Sequence, residues 1–309
     1  MNVFLTGGSG FVGGALISGW RDRHQLRAMS RSAQSDRKIR ALGGEPIHCA
    51  LENVHAEHLA GCEAVIHAAA YVEEWGPHEV YWQANVEGTR RLVDAARTAG
   101  VRRFVHVGTE AALFHGQPMI DVDENYPLAL DSPFPYSRTK AHAEKLVRQA
   151  ADAGAGFETI VIRPRMIWGP GDETILGALR DMTSQGRFSW LDDGRARTSS
   201  THVANLCHAL ELALTEGRSG GAYFVLDNGV RTLREFLTDY AATAGIELPD
   251  KSMPGGLARG LAAVVEPVWR TMRLKSAPPI TRFAAAIMSR DCVLRDDLAR
   301  NELGYTPVI

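Results

Sequence analysis

Short apolar runs and longer periodic segments alternate along the first half of the chain. The runs "NVFLTG" (2–7), "QLRAM" (25–29), "PIHC" (46–49), "AVIHAA" (64–69), "RFVHVG" (103–108) and "ETIVIR" (158–163) are apolar at successive positions rather than at every second one. That pattern predicts strands covered on both faces, as in parallel sheets. Between them, apolar residues recur at helical spacing over about 11–23, 34–43, 78–99 and 137–154. Strand–helix alternation of this kind predicts an α/β protein with a doubly wound parallel sheet. Beyond Arg163 the texture changes. "RPRMIWGPGD" (163–172) reads as a Pro/Gly-rich loop, helical patterns follow near 173–185, 202–215 and 232–244, and "AYFVLD" (222–227) reads as one more strand. The stretch 251–290 is apolar but broken by Pro254, Pro267, Pro278 and Pro279. A smaller, mostly helical C-terminal part packed on the open edge of the sheet is expected.

Composition narrows the function classes. A chain of 309 residues fits one large domain, or one large and one small. Hydrophobic content of 45% and charged content of 23% are those of an ordinary globular protein. A formal net charge of −2 carries no basic excess, so no nucleic-acid partner is expected. The four cysteines, Cys49, Cys62, Cys207 and Cys292, form no CxxC. Neither a metal site nor a redox pair follows, and a reduced, cytoplasmic setting fits best. No signal-peptide pattern is visible at "NVFLTGGSG" and none is expected, and no apolar run reaches the ~18 residues of a spanning helix.

Two motifs carry chemistry. "FLTGGSGFVGGAL" sets Gly7, Gly10 and Gly13 three apart, after a strand and at the start of a helix. Gly7 allows the tight turn, Gly10 lets the backbone approach a pyrophosphate, and Gly13 lets the helix sit close on the strand. The first helical residues, Phe11 and Val12 among them, offer free N–H groups to phosphate oxygens. The second motif is "PFPYSRTKAHAEK" (133–145). Tyr136 and Lys140 lie four apart and so share one helix face. A free Tyr, with a pKa of about 10, is a poor acid–base catalyst at neutral pH. A nearby ammonium is expected to lower that value.

The G-x-x-G-x-x-G spacing together with Y-x-x-x-K resembles the short-chain dehydrogenases/reductases, and the chain looks like an extended or atypical member, nearly end to end. The resemblance implies a Rossmann-type NAD(P)-binding domain over 1–163, its sheet completed by later segments, and a substrate-binding part over 164–309. At the end of the second strand, Ser30 stands where a carboxylate would favour NAD, and Arg31 follows. A guanidinium there can grip a 2′-phosphate, so NADP(H) is expected over NAD(H). An Asp-Leu pair of related sequences is Ala50-Leu51 here, which leaves Leu51 with its backbone contribution. Ala68 and Ala69 are small enough for the cofactor to cross the strand ends, with Pro164 and Met166 joining the cofactor set; His67 reads as a packed strand residue. Asn85 matches a position that braces the site. Thr109, at the end of the fifth strand, replaces the usual Ser and is expected to donate to the substrate oxygen and stabilise an oxyanion. Lys140 would also hold the nicotinamide ribose. Ketone reduction then takes hydride from the cofactor and a proton from Tyr136, and alcohol oxidation is the reverse. Glu110 has no evident role beyond a solvated or structural carboxylate.

Loops after strands four to six carry Tyr71, Trp75, Trp82, Phe114, Met166 and Trp168, with few basic residues. As a group they favour a lipophilic small-molecule substrate. "PPITRF" (278–283), "NVEGTRRLVDAARTAGVRRFVHVGTEA" and "DDLARNELGYTPVI" are similar in style to the 3β-hydroxysteroid dehydrogenase-like branch, whose members act on secondary alcohols or ketones of sterols and other hydrophobic molecules. Three alternatives stay open: a dihydroflavonol- or aldehyde-reductase-like enzyme on a small aromatic carbonyl, a nucleotide-sugar epimerase or dehydratase, and an NADP-binding sensor or scaffold. The second is weakened because Thr198 stands where those enzymes carry a phosphate-binding Arg, with Arg197 one residue off. His202 is expected to pack at the junction of the two parts. The segment 255–274 mixes apolar and basic residues and suits peripheral membrane contact, a dimer interface or packing on its own domain; monomer and homodimer are both open.

Overall fold

A computed structural model describes residues 1–309 except 74, 153, 155, 273 and 275. The two-sided apolar runs become the strands β1 (Asn2–Thr6), β2 (Gln25–Ser30), β3 (Glu45–His48), β4 (Ala64–His67), β5 (Arg103–Val107) and β6 (Glu158–Pro164), with β7 (Gly221–Val225) joining from the C-terminal part. They pair in the order β7-β6-β5-β4-β1-β2-β3, every pair parallel. Burial explains the sequence pattern. Val3 and Leu5 of β1 point into one core layer with Ile66, Val105 and Ile162, while Phe4 points into the other with Val65, Phe104 and Val161. The chain order reverses between β1 and β4, which is where doubly wound sheets bind ligands at the carboxyl ends of their strands.

The helices α1 (Phe11–Trp20), α2 (Ala33–Leu42), α3 (Gly88–Thr98) and α4 (Pro135–Gln149) connect the strands. Pro135 opens α4, where its fixed φ suits the first turn and its missing N–H costs no bond. The single helix expected over 78–99 is three pieces: an α turn at His78–Tyr81, a π turn at Trp82–Glu87, and α3. A π turn bulges the helix outward, and such bulges collect at functional sites; this one carries Asn85.

The C-terminal part holds α5 (Val203–Leu212), α6 (Leu233–Ala242), α7 (Gly255–Thr271) and α8 (Arg282–Ile287). It is less purely helical than expected. A second sheet pairs Arg231–Thr232, Arg197–Thr198, Cys292–Leu294 and Met119–Val122 in that order. Strands of two to four residues are too short to show a period of two. Met119–Val122 precedes Arg163, so this sheet ties the two halves of the chain together. α7 runs through Pro267 and packs Ala258 and Ala262 on Ala285 of α8, leaving Leu257, Leu261, Val264 and Val268 exposed. Among the described residues, no helix is long and apolar enough to cross a membrane. At the sheet's β7 edge, side chains meet outward backbone groups: Phe224 N–H donates to Glu124 (3.0 Å), and Tyr305 donates to Leu226 O (2.8 Å).

Candidate active site

The glycine loop forms a close cradle. Gly7 takes φ +76°, and a Cβ there would lie 3.1 Å from Ala69 N and 3.2 Å from Ala68 C. The Gly10 N–H donates to Gly7 O at 2.9 Å. A Cβ on Gly13 would stand 2.2 Å from that same carbonyl oxygen, so α1 can approach β1 this closely only with glycine there. Phe11 edges toward the loop at Gly171, 3.8 Å from where a Cβ on that glycine would be, and Val12 packs on the core. The Thr6 hydroxyl accepts from Ala69 N–H at 3.0 Å and meets His67 Nδ1 at 2.7 Å, tying the ends of β1 and β4. His67 Nε2 meets the Thr89 hydroxyl at 2.9 Å, and burial pushes its imidazole down to about 3, so it is neutral. His67 is thus a packed strand residue.

Beside the loop lies a cavity of about 180 Å³ whose walls include Gly7, Met29, Arg31, Leu51, Glu52 and Ala69. Arg31 is exposed, whereas Ser30 is buried and donates to Ser32 O at 3.3 Å. Glu52 went unnoticed in the sequence because it follows, rather than occupies, the position compared with relatives. A glycine cradle, a helix N-terminus and a slot lined by small residues fit a dinucleotide.

Tyr136 and Lys140 extend from the first turns of α4 toward the ends of β5. Lys140 is 3% exposed. Its Nζ donates to Val107 O at 2.8 Å and lies 3.4 Å from His106 Nε2. Burial holds its ammonium down at about 8 and leaves neighbouring His106 neutral. His106 Nδ1 has no hydrogen-bond partner among the described residues. His106 stands in register with His67 on the adjacent strand, and no motif marks it in the sequence. Asn85 sits under the loop that follows β4. It accepts from Tyr71 N–H (2.7 Å) and donates to Tyr71 O (3.1 Å) and to Thr139 of α4 (3.2 Å).

One expectation about the reacting centre is overturned, that Lys140 lowers the Tyr136 pKa. Burial and the Glu110 carboxylate raise it, opposed by the Thr109 hydroxyl. Lys140 is engaged with the end of β5. The Thr109 hydroxyl, expected to donate to the substrate oxygen, meets Glu110 Oε2 at 2.8 Å and accepts from Ala111 N–H at 3.2 Å. Nor is Glu110 solvated. It is buried and receives Arg165 Nη1 at 2.5 Å, while Arg165 Nε donates to Thr198 at 3.0 Å.

The aromatic candidates disperse. Tyr71 packs edge-on against Tyr81 (4.8 Å), and Trp75 Nε1 donates to Leu274 O (3.1 Å) with the Arg270 guanidinium over its ring. Trp82 lies against His142 of α4. Phe114 is buried and stacks on Phe134; Phe283, which the sequence did not single out, packs on both and on Tyr136. Trp168 belongs to a separate aromatic cluster. It donates to Asp227 at 2.7 Å and packs among His202, Phe236 and Tyr240. Met166 joins that cluster at φ +41°, and Pro164 ends β6 against Val225. His202 caps α5 through Ala204 N–H. Thr198 is buried, and Arg197 is held by Asp291 at 2.8 and 3.0 Å.

Comparison with known proteins adds the family context. The model of the 3-beta hydroxysteroid dehydrogenase/isomerase family matches residues 4–254. The chain is 42% identical over 308 residues to a 4-hydroxy-2-methyl-3-oxo-4-farnesyl-3,4-dihydroquinoline-1-oxide ketoreductase of Stigmatella aurantiaca, covering 99% of this chain and 92% of the relative. It is 33% identical over 318 residues to a 2-alkyl-3-oxoalkanoate reductase of Stenotrophomonas maltophilia, covering 100% and 96%. Among solved structures, that of gox2253 superposes with a TM-score of 0.79 at 27% identity, covering 99% of this chain and 93% of that one.

Proposed function

The chain belongs to the 3-beta hydroxysteroid dehydrogenase/isomerase family, and from that premise we propose that it interconverts a ketone and a secondary alcohol on a bulky lipophilic substrate, with Tyr136 as acid and base. It is an oxidoreductase of the nicotinamide-dependent class. The observation that carries the reading is the placing of Tyr136 and Lys140 on α4, with the Lys140 ammonium on Val107 O at the end of β5 and the Thr109 hydroxyl near the phenol. A phenol in its acid form has the proton that a carbonyl oxygen needs during reduction. The Gly7–Gly13 turn and the first N–H groups of α1 receive the pyrophosphate. Arg31 takes the 2′-phosphate, which favours NADP(H). Lys140 holds the nicotinamide ribose hydroxyls. When bound, the nicotinamide supplies or accepts the hydride.

Lipophilic substrates are favoured by the Phe114, Phe134 and Phe283 cluster behind Tyr136 and by the farnesyl and alkyl chains in the relatives' names. Nucleotide sugars are disfavoured. Thr198 receives Arg165 and Arg197 is turned to Asp291, so neither offers a cation to a sugar phosphate. The experiment follows nicotinamide absorbance with NADPH and NADH against bulky lipophilic ketones, small aromatic carbonyls and UDP-sugars. The expected result is turnover confined to the bulky ketones, with kcat/KM higher for NADPH and reduced roughly 10–100-fold in Arg31→Ala, since charge-assisted hydrogen bonds contribute about 1.5–3 kcal/mol. Consumption with no carbonyl overturns the enzymatic assignment; a higher kcat/KM with NADH overturns the cofactor preference.

A further inference from the structure

We propose that His67 is a positioning residue whose two ring nitrogens join the nucleotide cradle to the first turn of α4. Its donor end sets the placing of Tyr136, and its acceptor end sets the hold on the nucleotide. The inference rests on the ketone–alcohol reading above for the task of Tyr136. The polarity follows from groups that can act in one way only. The Asn85 carbonyl can only accept, so its 2.6 Å contact with Thr89 uses the single proton of the Thr89 hydroxyl. Thr89 therefore meets His67 Nε2, at 2.9 Å, as the acceptor, and that nitrogen carries the ring proton. The imidazole is neutral, so its Nδ1 holds a lone pair. The Thr6 hydroxyl donates to that lone pair at 2.7 Å and accepts from the Ala69 N–H at 3.0 Å.

Both ends of this chain reach the site. Ala69 and Tyr71 line the cavity beside the glycine loop, and Ala69 N stands 3.1 Å from where a Cβ on Gly7 would be. The Thr6 hydroxyl thus sets the spacing between two walls of the nucleotide slot. At the other end, Thr89 holds the carbonyl of Asn85 in the π turn. The Asn85 amide spans Tyr71 and Thr139. The Thr139 hydroxyl donates to Pro135 O at 2.8 Å and lies 3.2 Å from Tyr136 O, in the first turn of α4. Thr6, His67, Thr89, Asn85 and Thr139 are all buried. A chain in which each donor also accepts is polarised along its length, so loss of one link weakens its neighbours. Packing alone would need neither nitrogen, since any aromatic ring could meet Phe104 edge-on as His67 does.

The first measurement is the tautomer. Long-range proton–nitrogen correlation NMR on wild-type protein with labelled histidine should show His67 protonated at Nε2. The signal should not move from about pH 5 to 8, where an ordinary histidine titrates. A proton on Nδ1 overturns the inference. The second measurement separates the two ends. In His67→Asn the amide oxygen stands in for Nδ1 and nothing reaches Thr89; in His67→Gln the amide nitrogen stands in for Nε2 and Thr6 is left unmet. NADPH affinity is read by nucleotide fluorescence and kcat with androstenedione as the ketone. His67→Asn should keep the NADPH Kd within about twofold and lower kcat roughly 3–10-fold, the size of one neutral hydrogen bond. His67→Gln should keep kcat within about twofold and raise the Kd roughly 3–10-fold. His67→Phe, which fills the space best, should show both losses. A residue that only packs predicts the reverse, with His67→Phe the mildest of the three; that order, or equal losses in the Asn and Gln variants, overturns the inference. If the His67 variants do not unfold cooperatively, Thr89→Val is expected to reproduce the His67→Asn pattern and Thr89→Ser to keep wild-type values, and a normal kcat in Thr89→Val overturns the inference. No turnover by the wild type counts against the ketone–alcohol reading, while the tautomer and the Kd still decide the role of His67.

Discussion

Two alanine substitutions in one helix should have opposite effects. Gly13 and Gly19 both lie in α1. A Cβ at Gly13 would meet Gly7 O at 2.2 Å and the Gly7 C and Gly8 Cα atoms at 2.7 Å, whereas one at Gly19 meets nothing within 4 Å. Because the atoms facing Gly13 are backbone, no rotamer change relieves the contact. To reach an ordinary 3.4 Å separation from 2.2 Å, the start of α1 must move off β1 by about an ångström. Overpacking of this kind costs about 3 kcal/mol at the upper end of the usual range, and the better helix propensity of alanine returns about 1. Gly13→Ala should therefore lose roughly 2 kcal/mol while Gly19→Ala gains up to about 1. At some 2 °C per kcal/mol for a chain of this size, the two melting temperatures should fall on opposite sides of the wild type. Urea unfolding gives the free energies, and nucleotide fluorescence titration gives cofactor affinity. The cofactor Kd should rise at least about tenfold in Gly13→Ala, since the Gly10 and Phe11 amides move with the helix, and stay unchanged in Gly19→Ala. A Gly13→Ala protein as stable as Gly19→Ala, or one that binds cofactor normally, would refute the close approach of α1 to the loop.

Three further outcomes follow from the same geometry. Tyr136→Phe should lower kcat by roughly 10²–10⁴, the usual contribution of a positioned acid, with cofactor affinity within a factor of about two; near-normal turnover removes Tyr136 from the chemistry. Lys140 is held at about 8 against an ordinary 10.5, so its burial as an ammonium costs on the order of 3 kcal/mol at pH 7. That cost is complete below pH 8, where folded and unfolded chains are both protonated, and is relieved as pH rises toward 10.5, because the folded chain loses its proton first. Lys140→Met should accordingly be inactive yet more stable at pH 7, with the gap closing by pH 10; a gap constant in urea titrations at both pH values contradicts this. Glu144 receives Arg163 Nε at 3.0 Å as well as Nη2, both side chains being fully buried. Glu144→Ala strands that guanidinium and should cost roughly 3–5 kcal/mol in urea unfolding; a loss under about 1 would mean that water reaches it.

The parts of this molecule legible in its sequence are those whose signal is local. β1, β2, β4, β5 and β6 announced themselves because their apolar residues face two core layers, and the glycine loop because three spacings and one context define it. Tyr136 and Lys140 were legible as residues, but their electrostatics were not. The spacing put them on one helix face, yet what acts on the phenol is burial and Glu110, and what engages Lys140 is the carbonyl of Val107. Glu110 and Arg165 are 55 residues apart, a pairing no periodicity encodes. The same holds for Phe283, brought to Tyr136 by α8, and for Trp168, whose loop suggested a pocket until Asp227 claimed its indole. The π turn at Trp82–Glu87 escaped notice because one added residue in a helical turn barely disturbs an apolar stripe.

An open sheet ends in rows of unpaired peptide groups, which can template the addition of a strand from another molecule. At the end of β7 the Glu124 carboxylate and the Tyr305 hydroxyl engage the Phe224 N–H and the Leu226 carbonyl, so a visiting strand finds these sites already taken. Strand exchange and fibril growth from that margin are thereby discouraged in the native state. Removing the Tyr305 hydroxyl would reopen one rung of that ladder at little cost to the hydrophobic interior, making an otherwise native protein more prone to self-associate on prolonged storage.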